Sequence, residues 1–202
     1  MFDRRAIALL RPAMEGMARA LARLRVHADQ VTLAGFAIGL AAAGAIALQY
    51  FALGLVLLLA SRVCDGIDGA LARLTSPTER GGFLDITLDF LFYAAIPLAF
   101  AIADPPSNAL AAAVLLAAFI GTATTFLAFA ALAAQRGLKS VAYPDKGIYY
   151  LGGLTEATET LACFALMCLW PAQFALWAYG FAVLCALTIV MRLWAGWRAL
   201  SP

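Results

Sequence analysis

Charge is scarce in this sequence. Only 13% of its 202 residues are Asp, Glu, Lys or Arg, against about 25% in an ordinary soluble domain. Histidine is nearly absent: His27 stands alone and reads as an interfacial side chain rather than a metal ligand. The four cysteines, Cys64, Cys163, Cys168 and Cys185, have no metal-ligand spacing, which leaves them as small apolar packing residues. The chain also lacks a Gly-rich phosphate loop, a nucleophile elbow and an internal repeat, so the common nucleotide-loop and serine-hydrolase readings fail. A net charge of +2 gives no reason to expect a nucleic-acid partner.

What fills the chain instead is apolar residue, 64% of it. Two hundred residues would suffice for one soluble domain with a large core, but here the apolar residues come in long runs. Six runs, at about 31–51, 53–73, 83–103, 108–134, 148–169 and 172–196, each approach the roughly 20 residues a spanning helix needs. The predicted fold is an all-α integral membrane protein of six transmembrane helices (31–202), preceded by an N-terminal unit (1–30). Within that unit, six arginines interrupt the apolar residues, which excludes a cleavable signal peptide. Met14, Met17, Leu21 and Leu24 recur at helical spacing among Arg19, Arg23 and Arg25, which predicts an amphipathic helix in the headgroup region. A helix packed on the protein's own loops is the alternative.

Orientation follows from Lys and Arg. Numbering the ends alternately, one side collects the N-terminal arginines, Arg73, Arg80, Arg136, Lys139, Lys146 and Arg198, and the other side has none. The positive-inside rule places the basic side, with both termini, in the cytoplasm.

Against this background the stretch 63–90 gathers Asp65, Asp68, Asp85 and Asp89. Residues 65, 68, 69 and 72 share one helix face, as do 85 and 89. The short loop TSPTERG makes the two helices antiparallel neighbours, so both acidic faces meet in one cavity at the cytoplasmic side. Four carboxylates there repel and are costly to desolvate. Divalent cations remove the conflict, and hard oxygen donors without Cys or His point to Mg²⁺ or Mn²⁺, ions that usually accompany phosphates. Four carboxylates suffice for two ions, an arrangement suited to phosphoryl chemistry. Gly66, Gly69, Ala70 and Ala72 leave backbone open to a bulky ligand; plain helix packing would also use such residues, but does not explain the aspartates. A cation transporter is the competing class. It would favour acids near the bilayer midplane and two related halves, neither of which is visible.

The pattern Asp65-x2-Asp68-Gly69-x2-Ala72-Arg73, followed by Gly81-x3-Asp85-x3-Asp89, resembles the signature of the CDP-alcohol phosphotransferase family. Seven residues separate Arg73 from Gly81 where the family pattern has eight. HADQVT resembles the family's Pro-Asn-x-x-Thr element, with Asp29 in place of Asn and Thr32 retained. The resemblance implies a bacterial inner-membrane enzyme, a homodimer, that transfers the phosphatidyl group of CDP-diacylglycerol to an acceptor hydroxyl and releases CMP. It further implies that Asp65, Asp68, Asp85 and Asp89 hold two metal ions. Thr32, Asp29, Gly69, Ala72, Arg73 and Gly81 would contact the cytidine diphosphate, and Asp89 would be the general base.

The acceptor is less sharply marked. Glu156 and Glu159 fall one turn apart within the fifth apolar run, where acids usually face a cavity or a partner; Arg62 and Arg192 are the available ion-pair partners. Cavity-facing glutamates favour a neutral or amine-bearing acceptor, whereas Arg136, Lys139 and Lys146 at the cytoplasmic mouth suit glycerol 3-phosphate. Lys146, Glu156 and Glu159 are therefore the acceptor-pocket candidates, with glycerol 3-phosphate or serine the expected acceptor and phosphatidylglycerol, as in a cardiolipin synthase, the alternative.

Overall fold

The computed structural model describes residues 2–137 and 153–201, with side chains from Pro12 onward. Helix accounts for 89% of the described residues, with no strand among them. The helices are α1 (Phe2–Arg23), α2 (Ala28–Ala47), α3 (Phe51–Leu74), α4 (Glu79–Ala103), α5 (Pro105–Gln135), α6 (Ala157–Leu169) and α7 (Phe174–Leu200), with a 3₁₀ turn at Pro171–Gln173.

Among the described residues, four segments are long and apolar enough to cross a membrane: Ala28–Ala47, Glu79–Ala103, Pro105–Gln135 and Pro171–Leu200. The other two expected spans behave differently, for physical reasons. Helix α3 has 24 residues, about 36 Å at 1.5 Å per residue, but Arg62, Asp65, Asp68 and Arg73 concentrate charge from its midpoint onward. Helix α6 has 13 described residues, about 20 Å, short of the roughly 30 Å hydrocarbon layer; residues 148–152 of the expected fifth span lie outside the described residues.

Helix ends follow caps rather than hydropathy. Helix α2 starts three residues before its expected span because Gln30 Oε1 accepts from the His27 backbone N–H at 3.0 Å. Helix α4 starts at Glu79 because Thr78 Oγ1 accepts from Gly81 N at 3.0 Å, so the polar residues before Phe83 are helical. Asp104 accepts from Ser107 N at 3.4 Å ahead of α5, with Pro105 in the first turn, where its missing N–H is harmless. The three-residue link between α2 and α3 turns sharply through Gln49 (φ +66°), whose Nε2 donates to Ala103 O at 2.8 Å.

Helix α2 packs against α3 and α4, α4 against α5, and α5 against α7, while α6 leans on α3. Aromatic rings fill the centre. Phe51, Phe100 and Phe174 stack in series, with centroids 5.7 and 4.7 Å apart, and Phe92, Phe119 and Phe181 surround the buried Phe164 or its neighbours edge-on. Close helix approach depends on glycine at two places in α2. A Cβ on Gly35 would lie 2.9 Å from Cys64 Cβ, and one on Gly39 would lie 2.7 Å from the Phe92 ring.

Helix α1 packs on α3. Ala18 is fully buried in a cluster with Val31, Ile67, Ala70 and Leu71, and Met14 rests against Gly66. The expected stripe is split: Met14 and Leu21 face inward, whereas Met17 and Leu24 are exposed. The small side chain of Ala18, invisible to a reading that looks for bulky apolar residues, is the fully buried one among those described in α1.

Gly39→Val is expected to lower stability by about 1–3 kcal/mol through overpacking against Phe92. Gly44→Ala, on the same helix with nothing within 4 Å, should be neutral or raise it by up to about 1 kcal/mol. Melting temperatures of the two variants in one detergent, moving in these different directions, are the check.

Candidate active site

The four aspartates do converge in space. A cleft between α2, α3 and α4 is lined by Thr32, Gly35, Phe36, Ser61, Arg62, Asp65, Asp68, Asp85, Leu88 and Asp89. Helical periodicity aims Ser61, Arg62, Asp65 and Asp68 from α3 and Asp85, Leu88 and Asp89 from α4 into one space. Helix α2 closes the third wall, fixed by Ser61 Oγ donating to Gly35 O at 2.8 Å.

Asp65, Asp68 and Asp85 each offer a carboxylate oxygen, all within 4.8 Å of one another. Asp68 is 4% exposed, and its Oδ2 is buried without a hydrogen-bond partner. A buried charge normally has a partner. The carboxylate also accepts from Thr32 and the Gly69 backbone, so Oδ2 alone lacks a partner among the described residues; beside two further carboxylates it forms an all-oxygen donor set that suits a hard divalent ion.

Asp89 is placed differently. Arg62 Nη1 lies 2.6 Å from Asp89 Oδ1 and 3.5 Å from Asp65 Oδ1, inside a side chain only 10% exposed. The guanidinium covers the Phe92 ring at 4.0 Å, a favourable placement for a partly desolvated cation. The ion pair weighed between Arg62 and Glu156 or Glu159 therefore gives way to one with Asp89, because Arg62 sits three residues before Asp65 on the same face of α3. That spacing was the signal, in an otherwise apolar stretch, that Arg62 belongs to the cleft.

The expected nucleotide contacts divide into groups. Thr32 lines the cleft with the aspartates. Gly69, Ala72 and Arg73 lie on the next turn of α3, where a Cβ on Gly69 would be 3.4 Å from Arg73 Nη1. Asp29 and Gly81 meet where α2 and α4 begin: a Cβ on Gly81 would be 3.1 Å from Asp29 Oδ1, and Arg80 Nη2 donates to Asp29 Oδ2 at 2.6 Å. Asp29 is thus committed to an ion pair at the rim.

The acceptor candidates are not drawn into the cleft. Glu156 is a buried N-cap of α6, accepting from Gly153 N at 3.3 Å, and Glu159 Oε2 accepts from Glu156 N at 3.2 Å. Such N-terminal acids satisfy orphan amides and complement the helix dipole. Thr188 of α7 accepts from Leu154 N and Thr155 N nearby, which ties the start of α6 to α7, and Arg192 Nη1 donates to Thr122 O of α5 at 3.0 Å. Lys139 and Lys146 lie outside the described residues.

Comparison with known proteins follows the same lines. A family model described as CDP-alcohol phosphatidyltransferase matches residues 25–196. The chain is 48% identical over 201 residues to the inner membrane protein YnjF of Escherichia coli, covering 100% of this chain and 98% of that one. It is 46% identical over 70 residues to an archaetidylinositol phosphate synthase of Methanothermobacter thermautotrophicus, covering 34% of this chain and 36% of that one. The fold is shared with Mycobacterium tuberculosis phosphatidylinositol phosphate synthase with CDP-DAG bound (TM-score 0.71, 23% identity, 91% of this chain and 93% of that one). The structure of that synthase in complex with manganese and citrate gives the same score and identity, with 91% and 88% covered.

A ligand that binds only the folded state at 100 times its Kd stabilises by about 2.7 kcal/mol. Mg²⁺ or Mn²⁺ at that excess should raise the melting temperature of the metal-free protein. Asp68→Asn should melt higher than the parent without metal, having lost an uncompensated buried charge, and should show no metal-induced shift. A shift equal to the parent's would separate Asp68 from the cation site.

Proposed function

The chain belongs to the CDP-alcohol phosphatidyltransferase family and is a transferase of phosphate-containing groups; from this premise we propose that it transfers the phosphatidyl group of CDP-diacylglycerol to the hydroxyl of a small polar alcohol, with release of CMP. The observation that carries the reading is the convergence of Asp65, Asp68 and Asp85 around the buried, unpartnered Asp68 Oδ2.

In this reading Asp65, Asp68 and Asp85 hold a first divalent cation, Mg²⁺ or Mn²⁺, and Asp89 shares in a second. When bound, such ions neutralise the pyrophosphate and stabilise the departing CMP. Thr32, Asp29, Gly69, Ala72, Arg73 and Gly81 flank the cytidine diphosphate, Arg73 through charge-assisted hydrogen bonds to phosphate. Asp89 takes the proton of the acceptor hydroxyl as its oxygen attacks the phosphorus that carries diacylglycerol. The bond from that phosphorus to the CMP oxygen breaks, and CMP leaves with the electron pair. Phosphoryl transfer of this kind depends chiefly on positioning and charge neutralisation. Because Arg62 engages Asp89 Oδ1, Oδ2 is the oxygen assigned to the proton.

We place the protein in the bacterial inner membrane as a homodimer, with both termini cytoplasmic. Residues 1–30 form an interfacial helix and linker, and 31–202 form a six-span catalytic domain, its fifth span the run 148–169 of which α6 is the described helical part. Support comes from the one-sided distribution of Lys and Arg and from the apolar helices. For the acceptor, the sequence favours glycerol 3-phosphate or serine, and the names of the synthases above add an inositol phosphate. Lys146, Glu156 and Glu159 remain its proposed contacts; for the glutamates the role would be indirect, through the position of α6.

Purified protein with CDP-diacylglycerol should release CMP only with Mg²⁺ or Mn²⁺ and one member of a panel of glycerol 3-phosphate, serine, inositol, inositol phosphate, choline and phosphatidylglycerol. Asp89→Asn should lower kcat by about 10²–10⁴-fold, the usual worth of a positioned base. Asp65→Ala should abolish turnover, while Glu156→Gln leaves CDP affinity intact. Full activity in excess chelator would refute the metal-assisted mechanism, and turnover with phosphatidylglycerol alone would make the protein a cardiolipin synthase.

A further inference from the structure

Among the described residues, Arg62 is the one cation-bearing side chain that lines the aspartate cleft. Its guanidinium is held from several directions. Nη1 donates to Asp89 Oδ1 at 2.6 Å and lies 3.5 Å from Asp65 Oδ1. Nη2 donates to Ser61 Oγ at 3.2 Å, and that hydroxyl is itself tied to Gly35 O. The Phe92 ring lies 4.0 Å from the guanidinium carbon and the Tyr93 ring 5.9 Å. Arginine stays protonated at any working pH, and removing Asp89 from it would leave the guanidinium, whose side chain is 10% exposed, without its nearest counter-charge. The three carboxylates whose oxygens converge are Asp65, Asp68 and Asp85; Asp89 is not among them.

Resting on the reading of this cleft as a divalent cation site, we propose that Arg62 fills the second cation position while no nucleotide is bound. The nucleotide-free protein then holds one divalent ion, on Asp65, Asp68 and Asp85, and Asp89 stays outside its coordination shell. A fixed guanidinium bridging Asp65 and Asp89 supplies positive charge where a second ion would sit, and it orients the Asp89 carboxylate through Oδ1. Arg62 is in this sense a positioning residue. It sets the order in which the cleft is charged and keeps Asp89 from being drawn onto the first ion.

The test is Mn²⁺ stoichiometry of the full chain in detergent without nucleotide, measured by metal analysis and by electron paramagnetic resonance, which distinguishes an isolated Mn²⁺ from a coupled pair. The parent should bind one isolated ion. Arg62→Met should bind a coupled pair, and Arg62→Lys should return to one ion because it restores the charge. The double variant Arg62→Met with Asp89→Asn should also bind one ion; it removes the unpaired carboxylate as well as its partner, so it guards against a single variant that fails to fold. Asp89→Asn alone should change Mn²⁺ affinity by no more than about twofold, below the roughly 10–100-fold that loss of even an outer-shell partner costs. A coupled pair in the parent, or a tenfold loss of affinity in Asp89→Asn, would overturn the assignment of Arg62 and leave the cation site standing. A parent chain that binds no Mn²⁺ would overturn the cation site itself.

Discussion

Carboxylates that share a cleft of low dielectric repel one another and lose their hydration, and much of this structure is arranged around that conflict. Asp65, Asp68 and Asp85 bring oxygens within 4.8 Å of each other in a chain with very little charge to spend. Arg62 balances Asp89 and reaches Asp65, and Arg80 balances Asp29 at the rim. Asp68 Oδ2 is left buried with no hydrogen-bond partner among the described residues. The all-oxygen donors gathered around that atom are of the kind that suits a hard cation.

The surrounding architecture serves close approach. Gly35 and Gly39 let α2 lie against Cys64 and Phe92, which brings Thr32 to the aspartates. Gly66 admits Met14 of α1, so the amphipathic helix covers α3 near the cleft rather than only a lipid surface. Of these glycines Gly35 lines the acidic cleft itself, whereas side chains at Gly39 and Gly66 would meet Phe92 and Met14. In a membrane setting, where lipid provides no hydrophobic drive between helices, small residues are also what allows helices to associate. The glycines therefore answer two demands at once.

The sequence made the acidic cleft legible because four charges at helical spacing have few readings in an apolar chain. Their convergence follows from spacing and a short loop, but the expected pairing of α3 with α4 does not: each packs on α2, and the acidic faces meet across the cleft between them. Helix starts were less visible: hydropathy marks where a run becomes apolar, whereas Thr78 and His27 set where the backbone turns helical, several residues earlier. Arg62 was present in the sequence but pointed to the wrong acids, since a list of membrane charges does not say which pairs share a face. Glu156 illustrates the opposite error. A buried glutamate looks like a ligand contact, and here Oε1 of Glu156 accepts from Gly153 N just ahead of α6, while Oε2 is buried without a hydrogen-bond partner among the described residues. The role of Ala18 depends on tertiary contact alone.

The central claim is that Asp65, Asp68 and Asp85 together bind a divalent cation. An anomalous difference map from crystals of the full chain grown with Mn²⁺ addresses it directly. The account predicts a peak about 2.0–2.3 Å from one oxygen of each of these three carboxylates, the range for small hard ions with oxygen donors. A map with Mn²⁺ bound elsewhere and this cleft bare would contradict it.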